Sequence, residues 1–170
     1  FETRLFAKPD AASLLSRELA DPSYRCSTIV LGTATDAYQP IERDMRITRA
    51  LIETLSACEH PLSIITKSSL VERDIDLLAP MARKNLAAVY VTVTTLDGDL
   101  ARRWEPRAAA PWRRLETIRR LAEAGVSVGV MVAPIVPFLN EPEIEGVLEQ
   151  AKAAGARSAH YTVLRLPHEL

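Results

Sequence analysis

The sequence predicts an α/β fold, a partial parallel (β/α) barrel of the TIM-like type with about five βα units. Three observations carry this expectation. Short β-branched or apolar runs centred near residues 31, 64, 91, 130 and 161 each lead into small or polar residues. Helix-periodic stretches separate the runs by steps of about thirty residues, which suits right-handed crossovers between parallel strands. Every run also ends in a polar loop of similar style, which favours a barrel with one shared mouth over an open sheet. An eight-unit barrel takes about 250 residues, and these 170 residues hold five clear units. They read as a single, incomplete barrel domain spanning 1–170.

Phe1 to Lys8 alternates weakly and reads as a short strand or an entering loop. Asp10 offers an N-cap, and Leu14, Leu15 and Leu19 mark a helix face ending before Pro22. Thr28 to Thr33 is the first strong strand. From Asp44 to Ala57, Ile47, Leu51, Ile52 and Leu55 keep helical spacing. Leu62 to Lys67 is the second strand, and Leu70 to Lys84 is helical with Pro80 expected to kink or split it. Ala87 to Thr95 is the most β-rich run. A loop with two prolines (Trp104 to Pro111) follows, and Pro111 suits the first position of a helix whose apolar face is Leu115, Ile118, Leu121 and Ala122. Gly125 is placed to close that helix. Ser127 to Ala133 is the fourth strand, with Pro134 to Pro137 as a stiff exit. Asn140 and Glu143 have capping-box spacing before a helix running to Gly155. Ala159 to Leu166 is the fifth strand.

Hydrophobic residues make up 48% of the chain, charged residues 25%, and the formal net charge is −1. This is enough for one sizeable core, and no basic stripe argues for nucleic acid, although a nucleic-acid substrate stays open. The longest apolar run, about Val126 to Leu139, is too short and too broken to span a bilayer, and no signal peptide is visible, so a cytosolic location without a membrane partner is expected. Cys26 and Cys58 lack metal-ligand spacing and read as small, buried or half-buried thiols.

The strand ends collect Thr33, Thr35, Asp36, Thr66, Lys67, Ser68, Thr94, Thr95, Asp97, Pro134 and Arg165, a ring of hydroxyls with a few charges. No Ser-His-Asp order, GxGxxG, P-loop or HExxH accompanies them. Such a ring suits a polar, zwitterionic or nucleoside-like ligand. Asp36 reads either as the partner of a positive group or as a loop carboxylate. Lys67 either reaches a partner or snorkels to solvent. Arg107, on a proline-stiffened loop, either grips a carboxylate or pairs with Glu105 or another acid.

The ordered set GTATDAYQPIE (32–42), SIITKSSLVERDIDLL (63–78), VTVTTLD (91–97), EPRAAAPWRRL (105–115), VGVMVAPIVPFLN (128–140) and LRLPHE (164–169) resembles radical S-adenosylmethionine proteins of the spore-photoproduct-lyase-like group. The resemblance runs over essentially the whole chain. It implies a partial barrel, a [4Fe–4S] cluster and reductive cleavage of S-adenosylmethionine to a 5′-deoxyadenosyl radical acting on an unassigned substrate, with an electron donor such as flavodoxin or ferredoxin. It also implies a cofactor site. Gly32, Thr33, Thr35 and Asp36 would take the methionine amine, with Thr66 and Lys67 close by. Thr94 and Thr95 would face the methionine or ribose, Arg107 the carboxylate, and Ala133 and Pro134 the adenine.

The family's CxxxCxxC triplet, whose thiolates ligate the cluster, is absent from these residues, and neither Cys26 nor Cys58 belongs to one. The chain starts at Phe1, not Met. The expectation is therefore a fragment, a processed product or a cut domain lacking the first barrel strand and cluster loop, with lyase-like radical activity belonging to the parent protein. Two other readings come from different classes: a non-catalytic, nucleotide-binding parallel α/β module, and an aldolase using Lys67 as Schiff-base nucleophile.

Overall fold

The computed structural model describes residues 6–165. Five strands form one all-parallel sheet in the order β1-β2-β3-β4-β5: Ile29–Leu31, Leu62–Thr66, Ala87–Thr92, Ser127–Ile135 and Ser158–Val163. Sequential order without a switch point means that each right-handed crossover advances the same way, so the connecting helices cover one face and the winding is that of a barrel. Seven α-helices accompany the strands among the described residues: α1 (Ala11–Leu19), α2 (Glu42–Met45), α3 (Ile47–Ala57), α4 (Ile75–Arg83), α5 (Gly98–Trp104), α6 (Pro111–Glu123) and α7 (Ile144–Ala153).

The register explains the core. Leu62 pairs with Ala87, Ile64 with Val89, and Val89 and Val91 with Val128 and Val130. These residues point to the helix side, where they pack with Ile52, Leu55, Leu78, Ile118, Leu121 and Val147. Each fully buried aliphatic side chain of this kind stabilises the fold by roughly 1.5–3 kcal/mol. The opposite, barrel-inner face is more open. There Tyr90 meets His160 edge-on, with ring centroids 5.0 Å apart. Gly129 lies beside them because a Cβ there would sit 2.8 Å from the Tyr90 ring. Along β5 every residue is exposed.

Several expectations change. Of the opening run, residues 1–5 lie outside the described residues, and Phe6 to Lys8 forms no strand. Asp10 precedes α1 but makes no side-chain cap bond. The helix from Asp44 is broken at Arg46, whose φ of 50° separates α2 from α3. Pro80 sits inside an unbroken α4, and the split falls earlier, between a 3₁₀ segment (Ser69–Asp74) and Ile75. The chain turns there to bury Asp74, 0% exposed, against Tyr38, Arg49 and Arg73. Strand β3 stops at Thr92, leaving Thr94 and Thr95 in the exit loop. Within the connection that follows, α5 forms because Asp97 caps the amides of Asp99 and Leu100. Strand β5 ends at Val163, and Leu166 lies outside the described residues. Pro111 opens α6, and Gly125 follows its C-cap with φ +80°.

The capping box of Asn140 and Glu143 does not form. Asn140 makes no cap bond, and a 3₁₀ turn (Glu141–Glu143) precedes α7. Both side chains are drawn instead to the exit loops of β3 and β4, where unpaired backbone groups need partners. Both cysteines are exposed, contrary to the buried or half-buried thiols expected.

Candidate cofactor cleft at the strand ends

The cleft is built from the exits of β1, β2, β3 and β4, at the carboxyl ends of the strands. Gly32 ends β1 with φ +96°, and a Cβ there would fall 2.0 Å from the Ile65 carbonyl oxygen. Only glycine lets the β1 exit lie this close to β2. The loop then carries Thr33 and Thr35, both exposed, and Asp36.

Asp36 fixes this loop to β2. Its Oδ1 accepts from Thr66 Oγ1 at 2.7 Å and Tyr38 N at 2.8 Å, and its Oδ2 accepts from Lys67 N at 2.7 Å. Thr66 in turn accepts from Ser68 N at 2.9 Å. The Tyr38 phenol donates to Asp74 at 3.0 Å. Burial, and then the Asp74 charge, push its pKa above the ordinary tyrosine value, so it stays a neutral donor.

Glu105 organises the far wall. Its carboxylate pairs with Lys67 Nζ at 2.7 Å, pairs with Arg114, and lies 3.0 Å from Thr94 Oγ1. Arg114, 2% exposed, donates Nε to Ala109 O and Nη1 to Thr92 O. Burial alone would raise the pKa of Glu105, but Arg114 and Lys67 outweigh it and hold the carboxyl below the ordinary value of 4.5. Lys67 therefore reaches a partner, and an ammonium held in this ion pair is poorly suited to the aldolase reading.

The ring of hydroxyls is only partly available. Thr66, Thr94 and Thr95 are buried, at 1%, 2% and 2% exposure, and their hydroxyls bond within the protein because a buried hydroxyl needs a partner. Thr95 donates to Glu143 Oε1 at 2.6 Å, and Glu143 Oε2 accepts from Leu96 N at 2.7 Å. Thr94 and Thr95 shape the cleft without lining its chambers, while Thr66 lines one of them with its hydroxyl already bonded to Asp36.

The open space divides into two chambers. A strand-end chamber of about 360 Å³ is lined by Gly32, Thr33, Thr35, Asp36, Thr66, Lys67 and Ala133, with Met131 and Thr162. A lateral chamber of about 560 Å³ shares Thr35, Asp36 and Lys67 and adds Tyr38, Arg43, Trp104 and Arg107. Pro134 follows Ala133 through a cis bond, and its carbonyl is held by Asn140. Arg165 lines neither chamber. Glu105, Arg114, Asn140 and Glu143 as wall-building residues, and Arg43, Trp104, Met131 and Thr162 as lining, escaped the sequence reading, since their partners lie far along the chain.

The donor set at the strand ends, hydroxyls with an ammonium and backbone groups, fits a zwitterionic nucleoside. It does not fit a [4Fe–4S] cluster. Cys26 and Cys58 are exposed and precede β1 and β2, at the opposite end of the strands. Among the described residues no group of three or more His, Cys, Asp or Glu side chains is arranged to hold a metal ion. No helix among them is long and apolar enough to cross a membrane.

A family model described as the Radical SAM superfamily matches residues 8–151. An uncharacterized protein of Mycobacterium tuberculosis is 37% identical over 158 residues, covering 92% of this chain and 46% of the relative. An uncharacterized protein of Methanocaldococcus jannaschii is 32% identical over 115 residues, covering 68% and 43%. The chain thus spans about half the length of the curated relatives it matches. Among solved structures, Streptococcus suis SuiB bound to S-adenosylmethionine matches with a TM-score of 0.70 at 13% identity, covering 98% of this chain and 36% of that one. A spore photoproduct lyase double mutant with bound AdoMet and dinucleoside spore photoproduct matches with a TM-score of 0.66 at 18% identity, covering 97% and 49%. At these identities the likeness is one of fold, a partial TIM-like barrel.

Proposed function

The chain belongs to the radical SAM superfamily, and on that premise we propose that residues 1–170 form one incomplete barrel domain that binds S-adenosylmethionine in the strand-end chamber of a longer enzyme. The observation that carries this reading is the chamber itself. It gathers Gly32, Thr33, Thr35, Lys67 and Ala133 from three separate strand exits around one space of about 360 Å³. The solved neighbours of the same fold that carry S-adenosylmethionine support the choice of ligand.

In this reading Thr33 and Thr35 meet the polar groups of the amino-acid portion, beside Lys67. Asp36 and Thr66 act as positioning residues, since their oxygens already bond within the protein. Thr94 and Thr95 hold the β3 exit through Glu105 and Glu143. Ala133 and Pro134 supply an apolar edge for the adenine. When bound, S-adenosylmethionine supplies the hydrogen-abstraction chemistry of the family. The two cysteines do not fit an iron–sulfur cluster, so any such cluster in the longer protein takes its thiolates from residues outside this chain. The same reading places the enzyme in the cytosol with an external electron donor such as flavodoxin or ferredoxin, and its lyase-like character rests on the family resemblance.

The test uses the full-length protein, reconstituted anaerobically with iron and sulfide. Calorimetric binding of S-adenosylmethionine, followed by release of 5′-deoxyadenosine on reduction with dithionite, is the expected result. Binding without 5′-deoxyadenosine turns the reading to a non-catalytic nucleotide-binding module. Absence of binding overturns it.

A further inference from the structure

Resting on the cofactor reading above, we propose that the lateral chamber is a second ligand site, which takes a small organic anion with a flat apolar body beside the cofactor. The residues assigned to S-adenosylmethionine concentrate in the strand-end chamber, and of them Arg107 alone reaches only the lateral one. The lateral chamber is the larger, about 560 Å³ against about 360 Å³, and it adjoins the strand-end chamber, with Thr35, Asp36 and Lys67 lining both. A molecule held there lies next to whatever occupies the strand ends.

Arg43, Lys67 and Arg107 line it together with the carboxylates of Asp36 and Glu105, and Lys67 is already paired with Glu105. Both acids are saturated. Asp36 accepts from Thr66, Tyr38 N and Lys67 N, while Glu105 is taken by Lys67, Arg114 and Thr94. Arg43 is exposed and has no ion-pair partner among the described residues. A guanidinium at the wall of a concave site recognises a carboxylate or phosphate, which it meets with two parallel hydrogen bonds.

The anchors are held from behind. The turn carrying Arg43 is fixed by its neighbour Glu42, which is buried and accepts from Thr48 N at 3.0 Å and Arg73 Nη2 at 2.9 Å. Trp104 is half-buried and precedes Glu105, whose ion pairs fix that end of α5. Trp104, Pro40, Leu70 and Pro106 give the wall an apolar stretch beside the polar Gln39 and Ser68, and that stretch suits a flat hydrocarbon or aromatic body carrying the anion. A half-buried aromatic wall of this kind anchors a ligand at low ordering cost.

The experiment is a calorimetric titration of the full-length protein with phenyl phosphate, benzoate and phenol, with and without saturating S-adenosylmethionine. The proposal expects one of the two anions to bind with the cofactor present, and phenol to bind at least about tenfold more weakly. Whichever anion binds more tightly identifies phosphate or carboxylate as the preferred group. Arg43→Gln is expected to weaken the anion about tenfold while leaving S-adenosylmethionine affinity within about twofold, and Trp104→Leu is expected to weaken anion and phenol alike. Competition between anion and cofactor, equal binding of phenol, or indifference to Arg43→Gln overturns the proposal. If S-adenosylmethionine fails to bind while the anion still responds to Arg43→Gln, the cofactor reading fails and the anion site stands.

Discussion

Asn140 Nδ2 donates to the Thr94 carbonyl oxygen at 2.7 Å, so one buried amide joins the exits of β3 and β4. The same group reaches Pro134 O at 3.0 Å, while Oδ1 accepts from Val136 N at 2.7 Å. At 1% exposure, no water can replace these bonds cheaply. Asn140→Ala is expected to cost about 3 kcal/mol in urea unfolding. A loss below about 1 kcal/mol would show that the two loops hold their shape without it.

Two glycines give a paired prediction. Gly32→Ala forces a Cβ to within 2.0 Å of the Ile65 carbonyl oxygen at φ +96°, whereas nothing lies within 4 Å of a Cβ on Gly98. Gly32→Ala is expected to cost more than about 3 kcal/mol or to prevent folding. Gly98→Ala in α5 is expected to be neutral or to stabilise by up to about 1 kcal/mol. Equal melting temperatures for the two variants would contradict the close approach of β1 and β2.

Stability should fall on acidification. For both Glu72 and Glu105, burial raises the pKa, and the surrounding arginines, with Lys67 at Glu105, bring the net value below 4.5. A carboxyl depressed in the folded state binds more protons when unfolded. Its stabilisation is complete above the unfolded value and is lost as pH falls through the folded one. The urea midpoint is expected to be flat above about pH 6 and to drop below about pH 4.5. Glu105→Gln should lower the midpoint at pH 7 and flatten the acid limb, and an unaltered limb would show that Glu105 contributes nothing to it.

Asp36 and Arg107 should separate in a binding assay. Asp36→Ala strands the Thr66 hydroxyl and the amides of Tyr38 and Lys67. It is therefore expected to lower the melting temperature together with S-adenosylmethionine affinity, with a stability cost of about 2 kcal/mol. Arg107→Ala is expected to weaken S-adenosylmethionine about tenfold in direct titration of the full-length protein. An unchanged titration takes Arg107 out of the cofactor site and leaves it to the neighbouring chamber.

By itself the sequence determined the five parallel strands, their order of appearance and the polar strand exits, since Val89, Val91 and Val93 or Leu115, Ile118 and Leu121 reveal their periods locally. It also carried the family, through motifs that keep their order. Tertiary structure alone decided which polar groups face the cleft and which are used up building it. Asp36 meets Thr66 across 30 residues, Arg49 meets Asp74 across 25, and Asn140 meets Thr94 across 46. A capping-box pattern at Asn140 and Glu143 is a local offer of hydrogen bonds. Two neighbouring strand exits with unpaired backbone groups made a better one, and a buried backbone group is costly to leave unpaired.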